Sequence, residues 1–250
     1  MKDKFFFSKN KIDDVSATDF RQLSDYRWIL NALDRTIYSS VYVIDYEKQT
    51  FEYVSENPLF LCGYSAAEVK EMGYDFYMKN VPEEDLDLLI KINRVGFEFF
   101  ESLPVAEKRL CTISYDFHLK SEVNKKVLVH HKLTPVFLTE SGKLWKAICV
   151  VTLSTQKTAG NIIISLNGTQ RVYSFDLAEN CWKQQEIMVL SEREREILQL
   201  SIRGFTMSEI AKEIFLSPET VKFHRKKIFS KMGVTNIAEA IFYAANNKLL

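Results

Sequence analysis

The chain has 250 residues, enough for two ordinary domains or for one domain and a small module. A hydrophobic fraction of 46% and a charged fraction of 26% supply ample material for a core. No stretch approaches the roughly 20 apolar residues of a membrane span, and MKDKFFFSKNKIDD has no apolar run long enough for a secretory leader, so a cytoplasmic protein without membrane contact is expected. The 33 basic and 33 acidic residues cancel, but unevenly. Residues 188–250 hold ten Lys and Arg against seven Asp and Glu, a net of +3, which leaves −3 on the rest.

Cys62, Cys111, Cys149 and Cys181 are widely spaced, with no CxxC pair. That pattern is neither a disulfide framework nor a zinc site, and each thiol is expected to be a small buried or half-buried side chain. Residues 1–25 read as a polar tail and helix start. The acid pair Asp13–Asp14 lacks the parallel βα pattern of a phospho-receiver and belongs to that tail.

From Phe20 to Ile37, apolar residues recur at helical spacing (Leu23, Tyr26, Ile29, Leu30, Leu33, Ile37) and predict an amphipathic helix. VYVIDYEKQTFEYVS predicts a hairpin around EKQT. Ser65 with Glu68 makes a capping box for a short helix, and Pro82 with the following acids opens a longer one. RLCTISYDFHLK, KKVLVHHKLTPVFLTE and LWKAICVVTLS predict three antiparallel strands separated by the turns SEVN and SGK. STQKTAGN is linker-like. NIIISLN, GTQ and RVYSFDL predict a further hairpin, and residues 178–189 read as an approach to the last module.

The last sixty residues divide into short helices. Ser191 with Glu194 and Thr206 with Glu209 are two capping boxes, and Gly204 stands where the first of these helices stops. Ile197, Leu198, Leu200 and Ile202 supply one apolar stripe, and Ile210, Ala211 and Ile214 the next. In LSPETVKFHRKKIFSKMGV, Ser217 is an N-cap and Pro218 fits the first turn. This stretch gathers Lys222, Arg225, Lys226, Lys227 and Lys231 against the single acid Glu219. Val221 and Ile228 lie two turns apart on one side; Lys222 and Lys226 lie one turn apart on another. A short helix, a tight turn and a one-sided basic helix form the helix-turn-helix plan, in which the basic side meets acceptor-rich base edges and phosphates of a major groove.

LSEREREIL…G…SEIA…LSPETVKFH…I..KMGV resembles the DNA-binding module of LuxR/GerE-type transcription regulators over residues 188–250. The resemblance implies four helices, the third of them in the major groove. By carry-over it implies that Lys222, Phe223 and Lys226 face bases and that Thr220, Arg225 and Lys227 meet the DNA backbone. TNIAEAIFYAANNKL resembles the family's dimerisation helix, with Ala238, Ala240, Ala244 and Ala245 permitting close approach. Asn236 departs from an arginine common in the family. His224 matches a frequent family histidine and is expected to be packed or hydrogen-bonded.

FEYVSENPLFLCGYSAAEV followed by VPEEDL resembles the PAS consensus, over residues 26–155. That resemblance implies a domain holding a small-molecule ligand or acting as a dimerising relay. Cys62 lacks the Asn-Cys-Arg context of a flavin photosensor, and His118, His130 and His131 fall in strands rather than on the helix a haem ligand usually occupies. No cofactor is assigned. Tyr42, Phe51, Tyr53, Phe60 and Tyr64 read as aromatic core rather than as pocket lining. No Gly-rich phosphate loop, HExxH or GxSxG is present, so no enzyme is expected.

The expected fold class is α+β: a PAS-like domain (antiparallel sheet with flanking helices, 26–155), a connecting β segment (156–187) and an all-α four-helix module (188–250). The expected function is a homodimeric, cytoplasmic transcription regulator bound to double-stranded DNA. The alternative is a sensor or adaptor protein acting through protein–protein contacts without DNA.

Overall fold

The computed structural model describes residues 15–16, 26–120, 125–186, 188–247 and 249–250. The tail to residue 14, Leu23 and the turn SEVN (121–124) lie outside the described residues. The chain divides into two units, residues 1–186 and 187–250.

Among the described residues, the first unit is built on one antiparallel sheet of eight strands. They are β1 (Ser40–Asp45), β2 (Thr50–Val54), β3 (Cys111–Lys120), β4 (Lys126–Leu138), β5 (Leu144–Leu153), β6 (Gly160–Leu166), β7 (Arg171–Asp176) and β8 (Cys181–Gln185), in the order β2-β1-β5-β4-β3-β6-β7-β8. Among the described residues five helices accompany it: α1 (Tyr26–Asp34), α2 (Pro58–Leu61), α3 (Ala66–Met72), α4 (Asp75–Asn80) and α5 (Glu83–Ser102), with a single turn, α6 (Val105–Lys108). Helices α2–α5 lie between β2 and β3 in sequence, and strands β1–β5 follow the order 2-1-5-4-3. This is the antiparallel sheet with flanking helices that the PAS resemblance implies.

Local chemistry explains the elements. Asp45 accepts from the backbone N–H groups of Glu47 (3.0 Å) and Lys48 (3.1 Å), which turns the chain at the β1–β2 hairpin. The Ser65–Glu68 capping box is complete at α3. Glu83, Glu84 and Asp85 open α5 at its positive end. Pro135 is accommodated in β4 where the register with β5 shifts.

Strand β1 is buried along its whole length because both faces are covered. Tyr42 and Ile44 join the main core with Phe51, Phe60, Phe76, Tyr77 and Phe117. Val41 and Val43 face Leu30 of α1 on the other side. Helix α1 ends at Asp34, before the expected Ile37, and among the described residues of its stripe only Leu30 is fully buried. It lies on the outer sheet face, where one side alone reaches the strands; Trp28 (76%), Ile29 (61%) and Leu33 stay exposed. A charged cluster pins it there: Arg27 pairs with Glu52 at 3.0 Å, and Glu52 with the buried Lys146, which also reaches Asp45 at 3.3 Å.

The connecting segment expected at 156–187 folds as three strands that extend the same sheet, β6 pairing with β3. Strand β8 was not visible in the sequence, since CWKQQ has no alternation to mark it. It forms because β7 offers a free edge: Val172 opposes Gln185 and Phe175 opposes Trp182. Trp182 then packs on Phe99 of α5 (5.1 Å between rings) and on Phe175 (5.1 Å).

Among the described residues the second unit has four helices, α7 (Glu192–Ile202), α8 (Met207–Glu213), α9 (Pro218–Met232) and α10 (Ile237–Asn246). Their core is Leu190, Ile197, Leu198, Leu200, Ile210, Ala211, Ile214, Val221, Ile228, Met232, Val234, Ala240 and Ala244. Ile202, expected in the first stripe, is 49% exposed because it falls on the last residue of α7.

Candidate nucleic-acid interface

Caps fix where each helix of the second unit begins. Both capping boxes, Ser191–Glu194 and Thr206–Glu209, are present, and Ser217 accepts from the Thr220 N–H at 3.1 Å. Gly204 takes φ +85° just after α7, and Gly233 closes α9 at φ +65°, conformations glycine reaches without strain. Asn236, the departure from the family arginine, is the N-cap of α10 and accepts from the Glu239 N–H at 3.0 Å. Phe215, in the turn between α8 and α9, has φ +56° and is 94% exposed.

Helix α9 is divided lengthwise. Val221, Ile228 and Met232 are buried in the four-helix core. Across the helix, Lys222, Phe223, Lys226 and Lys227 are exposed. The Lys227 Nζ lies 4.7 Å from the centre of the Phe223 ring, and the His224 ring is 5.9 Å from it, tilted edge-on. Thr220 shares a 2.8 Å hydrogen bond with the Ser217 hydroxyl at the helix start. Arg225 sits apart, turned about 160° around the helix from Phe223. It is half-buried, its guanidinium over the Phe229 ring at 5.7 Å.

Lys231 differs from the other cations of this stretch. Its Nζ is 2.6 Å from Glu194 Oε2 and 3.2 Å from the Val189 carbonyl, so it joins α9 to the start of α7. Glu194 is buried, which pushes its carboxyl up, but the Lys231 ammonium and the Ser191 N–H outweigh this and hold it below the usual range. Among the described residues Lys222 and Lys226 make no ion pair.

The alanine face expected on α10 splits in two. Ala240 and Ala244 are in the unit's own core, because helix periodicity turns them toward α7 and α9; Ala238, Ala245 and Phe242 remain outward.

The first unit contains a cavity of about 40 Å³ between α5 and the sheet. Tyr46, Gly96, Phe97, Ile113, Tyr115 and Leu133 are among its lining. The five aromatic residues singled out in the sequence are not in that lining. Tyr42 stacks on Phe60 (4.3 Å, 8°) and closes the core elsewhere, and Tyr53 donates to the Leu30 carbonyl on the outer face. The lining comes mainly from α5 and β3, whose apolar residues have no motif to distinguish pocket from core.

The histidines of the strands are engaged. His118 Nδ1 is 2.8 Å from Asp85 and His130 Nδ1 is 2.9 Å from Asp116. His131 is buried beside Tyr42, its Nε2 2.6 Å from the phenol oxygen, which in turn bonds Tyr77. Burial lowers His131 to about 3, so the ring is neutral. Burial also pushes the Cys62 and Cys111 thiols up to about 12 and Cys149 higher still. No described helix is long and apolar enough to cross a membrane.

The profile of the luxR family of bacterial regulatory proteins (GerE) matches residues 188–244. The oxygen regulatory protein NreC of Staphylococcus aureus is 42% identical over 62 residues, which are 25% of this chain and 29% of that protein. The chain therefore spans under a third of the length of the curated relatives it matches. Among solved structures, the transcription factor GerE is 31% identical, covering 26% of this chain and 96% of that one, with a TM-score of 0.25. A Vibrio cholera VqmA–ligand–DNA complex is 16% identical, covering 89% of each chain, with a TM-score of 0.36. The capped four-helix module, residues 188–244, thus matches the luxR family of bacterial regulatory proteins.

Proposed function

We propose that this protein is a sequence-specific transcription regulator: α9 enters the major groove, and the PAS-like unit controls when it does so. One observation carries the reading. Helix α9 buries Val221, Ile228 and Met232 and presents Lys222, Phe223, Lys226 and Lys227 on the opposite side. A helix anchored on one side and cationic on the other suits a groove lined by base acceptors and phosphates. Lys222, Phe223 and Lys226 take the base-facing role. Thr220 and Lys227 flank them toward the backbone, with Arg225 reaching it from the helix flank.

The working unit is a homodimer on a two-fold site. Two exposed apolar patches support it: Trp28, Ile29 and Leu33 on α1, and Phe242 with Ala238 and Ala245 on α10. A small-molecule ligand is proposed for the cavity under α5. The cavity, at about 40 Å³, is far below the roughly 300 Å³ or more of an ordinary ligand pocket. Binding would therefore shift a population in which α5 moves outward. Helix α5 contacts the cavity with Gly96 and Phe97, and with Phe99 it touches Trp182 of β8. Strand β8 ends at Gln185, next to the start of the second unit, so movement of α5 has a covalent route to it.

The test is selection from a random duplex pool by the full chain, with affinity then measured against salt. Enrichment of a two-fold symmetric site and a steep salt slope support the reading. No enrichment at low salt would favour the protein-contact alternative.

A further inference from the structure

Phe223 is the one large apolar side chain on the exposed face of α9, and it is 54% exposed. It stands on the side opposite Val221 and Ile228, so nothing in its own unit's core covers it. An exposed phenyl ring among lysines loses apolar burial unless a partner supplies it. Its orientation is nevertheless set: Lys227 lies over the ring, and His224 meets it edge-on. Lys226 is on the next turn of the same face, and Glu219 is one turn earlier.

In a major groove one base differs from the others by an apolar group. Thymine presents a C5 methyl beside its O4 acceptor, and a phenyl ring can bury that methyl while offering no hydrogen bond to the other bases. We infer that Phe223 is a specificity-determining residue that selects a 5-methyl pyrimidine, thymine, at one position of each half-site. The flanking lysines contribute charge and donate to base and phosphate acceptors; Phe223 contributes base identity. This rests on the duplex-binding reading above, and the experiment separates the two.

The full chain is used to select a site from a random duplex pool. Each thymine in that site is then replaced in turn by uracil, which removes only the methyl, and binding is measured for the native chain and for Phe223→Ala and Phe223→Leu. Burial of one methyl corresponds to about a fourfold affinity change. The native chain should lose about fourfold at one thymine in each half-site, symmetrically placed. Phe223→Ala should bind thymine and uracil there equally, and Phe223→Leu should keep part of the difference. Restoring the methyl as 5-methylcytosine, paired with guanine, should recover binding over plain cytosine for the native chain, in part for Phe223→Leu, and not for Phe223→Ala. Salt-dependent binding with no methyl-sensitive position, or with methyl sensitivity unchanged in Phe223→Ala, overturns this inference and leaves the duplex-binding reading standing. Failure of the native chain to enrich any duplex overturns both. Unchanged circular dichroism of the Phe223 variants excludes unfolding as the cause.

Discussion

Lys231 Nζ lies 2.6 Å from Glu194 Oε2, tying the last turn of α9 to the first turn of α7. Glu194 thus serves two purposes, since the same carboxylate accepts from the Ser191 N–H at 2.8 Å. One cation of the basic stretch is therefore spent on holding the module together, and this divides the lysines into structural and surface groups.

Replacing Glu194 by Ala removes the ion pair and half the capping box. The expected loss is about 1–2 kcal/mol, the ion pair being discounted because Lys231 is partly exposed. The Glu194 carboxyl is lowered by folding from its usual 4.5, so its contribution is present above that pH and disappears as pH falls through the lower folded value. Urea unfolding of the full chain, followed by far-ultraviolet circular dichroism, should show a smaller loss on acidification in Glu194→Gln than in the native chain.

The same division predicts different salt behaviour. Lys222→Ala and Lys226→Ala should each weaken duplex binding and flatten its dependence on salt, the slope of log affinity against log salt. Lys231→Ala should leave the slope unchanged while lowering stability. Fluorescence anisotropy titrations over a range of salt concentrations read all three, and a Lys231→Ala slope shifted as much as that of Lys226→Ala would refute the division.

His131 makes the first unit sensitive to acid. Its folded value, about 3, lies below the ordinary 6.5, so its stabilising effect is complete above 6.5 and is lost as pH falls toward 3. The slope reaches about 1.4 kcal/mol per pH unit within that window. His131→Phe should flatten the dependence, although Tyr42 keeps its bond to Tyr77. All three tryptophans of the chain (Trp28, Trp145 and Trp182) belong to this unit, so urea unfolding followed by tryptophan fluorescence isolates it.

Gly96 controls the cavity. A Cβ there would meet Ile113 Cδ1 at 2.7 Å, and Ile113 is itself a lining residue that can swing inward. In Gly96→Ala the helix gains about 0.5–1 kcal/mol, which offsets the displaced methyl. Stability should stay within about 1 kcal/mol of the native chain while the cavity closes, whereas Gly96→Leu should cost about 1–3 kcal/mol through overpacking. Xenon binding, measured by crystallography under pressure, should occur in the native cavity and vanish in Gly96→Ala.

The sequence by itself determined the parts whose chemistry is local. Ser65–Glu68, Ser191–Glu194 and Thr206–Glu209 announce helix starts because a cap needs only residues three apart, and the split between Val221/Ile228 and Lys222/Lys226 follows from helix periodicity alone. The strands β3, β4 and β5 were legible from their β-branched and aromatic runs. What tertiary structure alone decided involves partners distant in sequence. CWKQQ becomes β8 only because β7 presents an edge and Phe99 of α5 receives Trp182. Lys231 looks like its basic neighbours until Glu194, 37 residues earlier, is found beside it. Ala240 and Ala244 match Ala238 and Ala245 in type, and packing against α7 and α9 is what buries the first pair and leaves the second outside. The cavity under α5 has no sequence mark, since it is lined by the same apolar residues that elsewhere fill the core, and only the spacing of helix and sheet separates the two.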